Sequence, residues 1–153
     1  MPAKKLKTFL DAAGVSYESI VHTPAFTAQE VAQSAHVAGR TFAKTVIIVL
    51  DGKLAMAVLP ANRKVVLQDI RDITGFENVR FASEEEFRQA FPDCETGAMP
   101  PFGNLYGMDV YMAESLTWDR EIVFNAGSHT EILKVAYADY ERLVQPKVLS
   151  FTT

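Results

Sequence analysis

A lysine at the start of the strongest β-strand pattern is the residue of this chain best placed to do chemistry. Lys44 precedes the apolar run from Thr45 to Leu50, so a positive charge enters a segment that is otherwise suited to the protein core. A cation in that position can face an anion bound at the edge of the core. Lys44 therefore predicts an anion-binding site, provided that the rest of the chain brings other polar groups to it.

The second candidate is a stiff loop, Gly97-Ala98-Met99-Pro100-Pro101-Phe102-Gly103. Its two prolines fix φ and lack N–H donors, whereas its glycines allow backbone conformations that other residues avoid. A stiff loop with open backbone groups loses little entropy when a ligand binds, which suits a pocket. The same composition is also typical of a rigid connector that only redirects the chain, and composition alone favours the connector.

The third candidate is the small polar run Asn125-Ala126-Gly127-Ser128-His129-Thr130, which follows the apolar strand pattern Ile122-Val123-Phe124. It offers backbone N–H groups, hydroxyls and one imidazole at the end of a strand. His129 could exchange a proton with a reacting group near neutral pH. A single histidine near a turn is more often exposed or capping. A catalytic role is less expected for His22 for the same reason. It is least expected for His36, which we interpret as structural or solvated.

Composition and motifs exclude several classes of protein. A formal charge of −4 argues against a protein that coats long stretches of nucleic acid, although a few basic residues can still bind its end. The single Cys94 allows no internal disulfide, and the three histidines are too dispersed for a zinc site. No motif for nucleotide phosphates, metal binding or a nucleophilic serine is present. We therefore expect a cytoplasmic protein with one domain over residues 1–153, no cofactor, no metal, no DNA partner and no membrane span.

Alternating helix and strand patterns supply the elements that must hold these groups. Periodicity and capping residues predict helices at 6–13, 27–35, 66–73, 83–90 and 137–144. Apolar runs predict strands at 17–22, 45–50, 53–59, 79–81, 110–112, 121–124 and 131–136. Helices scattered around a mixed sheet make an α/β or α+β domain.

The best-defined of these elements is a hairpin between 45–50 and 53–59, because Asp51-Gly52 suits a two-residue type I′ turn. Such a turn fixes the following pairs: Leu50 with Lys53, Ile48 with Ala55, Val46 with Ala57, and Lys44 with Leu59. Alternation then places Lys44 on the same face as Ala55 and Ala57. These small residues could leave a hollow beside the ammonium or let a helix pack closely, and the sequence favours neither.

Together, three features resemble the YbaK/prolyl-tRNA synthetase-associated domain family, which includes aminoacyl-tRNA deacylases. They are His22-Thr23-Pro24 followed by Thr27 and Glu30, Lys44-Thr45 at the start of a strand, and the loop 97–103 followed by Asn125-Ala126-Gly127-Ser128. The resemblance implies a mixed, strongly curved, barrel-like central sheet surrounded by helices. It also implies hydrolysis of the ester that joins a wrong amino acid to tRNA, above all alanine on tRNA(Pro).

The resemblance implies roles for single residues. Lys44 matches the family's essential lysine, which holds the phosphate of the terminal adenosine. Gly97 matches the glycine whose backbone positions the aminoacyl group and the attacking water, and His129 is a looser match to a histidine after the same strand. The other residues expected at the substrate are His22, Pro100, Pro101, Gly103, Gly127 and Ser128. The expected partners are the acceptor end of aminoacylated tRNA and prolyl-tRNA synthetase.

The chemistry of the residues is compatible with that reaction. An aminoacyl ester is already activated, so a site needs to position water and stabilise an oxyanion, without a catalytic triad or a metal. Two alternatives stay open at this point. One is a non-catalytic module of the same fold that binds tRNA or a synthetase, and the other is a hydrolase of a different small acyl ester.

Overall fold

The computed structural model describes residues 3–23, 32 and 41–153. Its helices and strands, in chain order, are α1 (Lys4–Ala12), β1 (Tyr17–Val21), β2 (Phe42–Leu50), β3 (Lys53–Pro60), α2 (Leu67–Thr74), β4 (Val79–Phe81), α3 (Glu84–Arg88), β5 (Asp109–Ala113), β6 (Glu121–Ser128), β7 (Glu131–Ala136), α4 (Tyr137–Val144) and β8 (Lys147–Leu149). Two 3₁₀ turns, Gly103–Leu105 and Glu114–Trp118, flank β5. None of the helices in these ranges is long and apolar enough to cross a membrane.

The strands form one mixed sheet in the order β1-β7-β6-β2-β3-β5-β8, and β4 pairs with the far end of β2. The hairpins β2–β3 and β6–β7 are antiparallel, whereas β2–β6, β3–β5 and β5–β8 are parallel. One edge of β2 therefore has two partners, since its first residues pair with β6 and its last residues pair with β4. The result is a strongly curled half-barrel of α+β class, which confirms the predicted fold.

The hairpin register is the one that the sequence predicts. Lys44 pairs with Leu59 and Leu50 pairs with Lys53. The two turn residues have positive φ, +48° at Asp51 and +85° at Gly52, as a type I′ turn requires. This short turn fixes every side chain of β2 on its predicted face.

The two faces of the sheet bury different apolar clusters. One face packs Ile47, Met56 and Val58 into the main core, together with α1 and α4. The opposite face, which carries Lys44, holds two smaller clusters, one around Ile48 and Leu59 and one around Phe42 and Ala61. Lys44 lies between these two clusters along β2, so its charge separates two apolar patches on one face.

The alanines on the lysine face serve close packing. Ala55 and Ala57 are buried against Ile70 of α2 and against Phe151 near the chain end. Because these side chains are small, α2 and the segment around Phe151 can approach the sheet closely. Their own side chains then fill the space that larger residues on the sheet would take. Of the two interpretations of these alanines, the helix-packing one is confirmed and the hollow beside the ammonium is not.

Most element predictions are confirmed, with some corrections. Strand β2 begins at Phe42, so Lys44 is its third residue and not its start. Strand β6 does not end at Phe124 but continues through Ser128, and β8 was not predicted. The capping box of Ser83 and Glu86 is present, although the helix that it opens ends at Arg88. The second predicted helix at 27–35, with its capping box, and His36 lie outside the described residues, apart from the helical and buried Ala32.

Candidate active site

Strand β6 organises the site, because two separate segments bind the same edge of it. Ala43 of β2 pairs with Phe124, and β2 leaves the edge after that pair. Three residues further along β6, Gly127 binds a second segment. Its N–H donates to the Ala98 carbonyl at 2.9 Å, and its carbonyl accepts from the Glu95 N–H at 2.7 Å. Since a strand rises by about 3.3 Å per residue, the two segments meet this edge roughly 10 Å apart.

Lys44 and Gly97 flank the gap that this arrangement leaves. Lys44 is the first residue of β2 beyond the last pair with β6, and Gly97 lies inside the loop that Gly127 binds. The groups that the sequence singles out on distant segments are thus brought to one edge of one strand. The gap between them is where a small group could bind.

A wide bulge makes the second half of this arrangement possible. On β6, Asn125 pairs with Ile132 and Ser128 pairs with Glu131, so Ala126 and Gly127 have no partner on β7. Gly127 has φ of +95°, a conformation that glycine adopts without a steric penalty. The bulge turns the backbone of Gly127 toward the loop 95–98, which is why a polar run could continue a buried strand.

The environment of the Lys44 ammonium favours the binding of an anion. It lies half-buried and donates to the Ala61 carbonyl at 3.4 Å, a long hydrogen bond. Burial lowers the pKa of Lys44, and the nearby charge of Lys64 lowers it further. Within residues 3–23, 32 and 41–153 it forms no ion pair. Two cations close together without a carboxylate favour the binding of a polyanion such as a phosphate.

Asn125 supplies a buried acceptor on the same face. Because Val123 of β6 packs with Phe42, alternation places the Asn125 side chain on the face that carries Lys44. Asn125 is 7% exposed, and its Oδ1 has no hydrogen-bond partner in the described part of the chain. A buried acceptor without a partner costs about 1–3 kcal/mol, which a ligand with a donor group could recover.

Gly97 and His129 form the other side of the gap. Gly97 is exposed, has φ of +86°, and directs its N–H to the Met99 sulfur at 3.3 Å, a weak acceptor. His129 is buried, and its Nε2–H donates to the Thr96 carbonyl at 2.9 Å. A Cβ on Gly97 would lie 3.6 Å from the His129 ring. His129 therefore holds the loop in place next to Gly97.

His22 and Ser128 lie next to this pair. The N–H of His22 donates to the Thr130 carbonyl at 2.8 Å, so the end of β1 is fastened to the turn that follows His129. Ser128 is almost fully buried, with its hydroxyl 3.3 Å from that of Thr130. Of the residues predicted at the substrate, Lys44, Gly97, His129, His22, Gly127 and Ser128 are thus brought to one end of β6 and β7.

The second half of the proline loop is placed differently. Pro100, Pro101 and Gly103 are all buried. The Tyr140 hydroxyl donates to the Pro101 carbonyl at 2.6 Å, and Phe102, fully buried, makes edge contacts with rings of the main core. A Cβ on Gly103 would lie 2.4 Å from the Met108 carbonyl oxygen. These contacts give the three residues a packing role, while their substrate role stays a prediction.

Two residues of the site were missed by the sequence interpretation. Lys64 follows the end of β3 in an exposed loop, where a lysine is unremarkable, and only the fold brings it near Lys44. Asn125 belonged to the predicted polar run but was not assigned to the substrate, because the end of β6 was predicted too early. No group of three or more potential metal ligands occurs among the described residues.

Comparison with known proteins shows the family of the chain. The family model for the aminoacyl-tRNA editing domain matches residues 22–143, most of the chain. The chain belongs to the aminoacyl-tRNA editing domain family. Editing is hydrolysis of the ester between an amino acid and tRNA, so the protein is an aminoacyl-tRNA deacylase, and the predicted family and enzyme class are confirmed. The non-catalytic alternative is thereby set aside.

Individual relatives differ in what their names say. A protein of Escherichia coli (strain K12) named multifunctional Ser/Thr-tRNA deacylase ProXp-y is 25% identical over 97% of this chain and 91% of its own length. A protein of Azoarcus sp. (strain BH72) named phosphopantetheine adenylyltransferase is 29% identical over 87% of this chain and 71% of its own length. A solved structure of a candidate trans-editing enzyme for prolyl tRNA synthetase has a TM-score of 0.83 at 20% identity, covering 99% of this chain and 97% of its own. That likeness concerns the fold.

Proposed function

We propose that this editing domain acts in trans on tRNA mischarged with a small amino acid, with Lys44 as the anchor for a phosphate at the 3′ end of the tRNA. The observation that carries the proposal is the half-buried Lys44 ammonium beside Lys64, without an ion pair in the described part of the chain. A phosphate there would take up the charge of both cations. Lys44 thus binds the substrate and takes no part in proton transfer.

The other side of the gap supplies the reaction geometry. In the proposal the aminoacyl ester extends from the phosphate at Lys44 toward the backbone of Gly97 and the Thr96 carbonyl, which His129 fixes. Backbone groups on a stiff loop can orient an attacking water and stabilise an oxyanion, and an activated ester requires little more. In this proposal His129 is a positioning residue, because its Nε2–H is already used to hold the loop.

The amino acid is expected to be small, and Asn125 favours one that carries a hydroxyl. A buried amide oxygen next to the site would be left without a donor by alanine but could accept from the hydroxyl of serine or threonine. The relative named for serine and threonine agrees with that preference. Alanine on tRNA(Pro) stays a prediction that the following experiment separates from it, and an association with prolyl-tRNA synthetase stays a separate prediction.

The test is a deacylation panel with tRNAs charged with alanine, serine, threonine, cysteine and proline. We expect hydrolysis of at least one small mischarged amino acid, with serine or threonine ahead of alanine. Lys44→Ala should lower kcat/KM about 100-fold, since removal of one partner of a close charge pair costs about 2–5 kcal/mol.

Lys53→Ala is the matched control, because Lys53 is an exposed lysine at the other end of the same hairpin. It should leave kcat/KM unchanged. The proposal is wrong if every charged tRNA stays intact, or if Lys44→Ala and Lys53→Ala behave alike.

A further inference from the structure

An exposed tryptophan stands close to the proposed phosphate anchor. Trp118 is 74% exposed, although tryptophan is among the side chains that gain most from burial. It ends the 3₁₀ turn Glu114–Trp118, in which Leu116 is buried and the Thr117 hydroxyl donates to the Glu114 carbonyl at 2.7 Å. The ring is therefore presented to solvent by a fixed element.

The ring borders a small groove of mixed polarity. The groove has a volume of about 170 Å³ and is lined by Pro60, Asn62, Arg63, Ser115, Trp118 and Asp119. Arg63 is held in place, since its guanidinium donates to the Thr153 carbonyl at 3.0 Å. An aromatic face, a fixed guanidinium and a carboxylate acceptor around one groove suit a planar ligand that has amino groups, such as a nucleobase.

One residue, Ala61, links the groove to Lys44. Pro60 and Asn62 line the groove, and Ala61 between them donates its N–H to the Phe42 carbonyl and accepts from the Lys44 ammonium. Lys64, the second cation near Lys44, follows Arg63 directly. A strand of nucleic acid whose terminal phosphate lies at Lys44 could therefore continue past Ala61 toward the groove.

We propose that Trp118 is a stacking platform for an unpaired base that precedes the terminal adenosine of the bound tRNA. The proposal rests on the proposed function, in which Lys44 holds a phosphate at that end. Every tRNA ends in an unpaired CCA sequence, and cytosine has the exocyclic amino group that the Asp119 carboxylate could accept. Stacking on an aromatic ring tolerates many bases, so this contact adds affinity for the tRNA end without selecting the amino acid.

The first test uses Trp118 as its own reporter, because it is the only tryptophan in the chain. Titration of the wild type with the RNA trinucleotide CCA, and with uncharged tRNA, should quench the tryptophan fluorescence with a saturable curve. Titration with the trinucleotide UUU should quench less, since uracil lacks an exocyclic amino group. An unchanged emission with saturating uncharged tRNA would overturn the proposal.

The second test separates stacking from a structural role. Trp118→Ala should lower kcat/KM for aminoacyl-tRNA about tenfold, the loss expected for one stacked base, and Trp118→Phe should retain most of the activity. On a 3′-aminoacyl adenosine, which lacks the preceding bases, both variants should equal the wild type. An equal loss on both substrates would assign Trp118 to the structure, and no loss on either would assign its surface to another partner. Both results contradict stacking.

The outcomes also separate this inference from the proposed function. If Lys44→Ala abolishes deacylation while the Trp118 variants act like the wild type on aminoacyl-tRNA, the anchor stands and the platform is wrong. If Lys44→Ala has no effect while Trp118→Ala weakens only the tRNA substrate, the platform stands and the anchor at Lys44 is wrong.

Discussion

The two glycines at the ends of the proline loop, Gly97 and Gly103, lie in opposite environments. At Gly97 the backbone is exposed, its N–H donates to the Met99 sulfur, and its conformation has a positive φ. At Pro101 and Gly103 the chain is buried, and the Pro101 carbonyl accepts a short hydrogen bond from Tyr140. Gly97 is thus the accessible end of the loop, whereas residues 98–103 are all buried.

This difference shows how a site can be held open. An exposed glycine in a loop can serve a site only where the surrounding structure fixes its position. Here Phe102 inserts into the aromatic core directly before Gly103, and Gly127 binds the loop from the other side. We infer that the buried residues 98–103 determine whether the loop folds, whereas the exposed Gly97 determines what the folded loop can do. The predictions below test that division.

The largest expected effect is on folding, at Gly103. In Gly103→Ala the new Cβ would meet the Met108 carbonyl at 2.4 Å, a backbone atom that cannot move away cheaply. We expect the free energy of unfolding to fall by about 3 kcal/mol, measured by chemical denaturation. Activity per folded molecule should change little.

Gly107→Ala is the control for that substitution. Gly107 lies four residues further on, has φ of +68°, and has open space where a Cβ would be. It should lose only about 1 kcal/mol from backbone strain. Equal losses at the two glycines would contradict the packing role of Gly103.

The sequence predicts the scaffold better than the site, and the hairpin shows why. Asp51-Gly52 is a local signal that fixes the register of β2 and β3, so the face of Lys44 follows from neighbouring residues. The end of β6 follows from no such signal. Polar residues after Phe124 normally indicate the end of a strand, and only the bulge at Gly127 and the loop 95–98 keep that strand going.

The same limit applies to the contacts of the site. Whether Ala57 makes a hollow or a packing surface depends on α2, which lies beyond the hairpin in the chain. The nearness of Lys64 to Lys44 and the burial of Asn125 depend on the path of three separate segments. Family resemblance can assign a role to Lys44, but it does not give these distances.

The second prediction concerns Gly97, the exposed end of the loop. Gly97→Ala would place a Cβ 3.6 Å from the His129 ring, an ordinary contact, so the cost is the strain of φ at +86°. We expect the free energy of unfolding to fall by about 1 kcal/mol. A shift of the Gly97 backbone should lower kcat about tenfold, because catalysis depends on the position of the reacting groups.

Gly75→Ala provides the matched control. Gly75 ends α2 with φ of +80° and open space for a Cβ, so it shares the strain but not the location. It should lose the same stability and keep its kcat. If Gly97→Ala also keeps its kcat, the exposed end of the loop has no catalytic role.

The third prediction sets stability against activity at Asn125. Asn125→Leu replaces a buried acceptor that lacks a partner among the described residues with an apolar side chain of similar size. The free energy of unfolding should rise by about 1 kcal/mol, while hydrolysis of Ser-tRNA should fall more than that of Ala-tRNA. A variant that is less stable, or that slows both substrates equally, would show that Asn125 serves the core.

The smallest expected effect is a pH dependence that originates at Lys44. Burial and Lys64 lower its pKa below the ordinary 10.5, so the folded protein releases this proton before the unfolded chain does. In that window the unfolded state binds more protons, and the contribution of Lys44 to stability rises with pH. Phosphate binding has the opposite trend, because the ligand requires the charged ammonium.

Affinity for uncharged tRNA, which has no labile ester, should therefore decline on the alkaline side at a lower pH than an ordinary lysine would produce. Lys44→Arg should move that decline to higher pH, since a guanidinium keeps its charge. The measurement is the dissociation constant as a function of pH for both proteins. If the two profiles coincide, tRNA binding does not depend on the charge at residue 44. The phosphate is then bound by a residue other than Lys44.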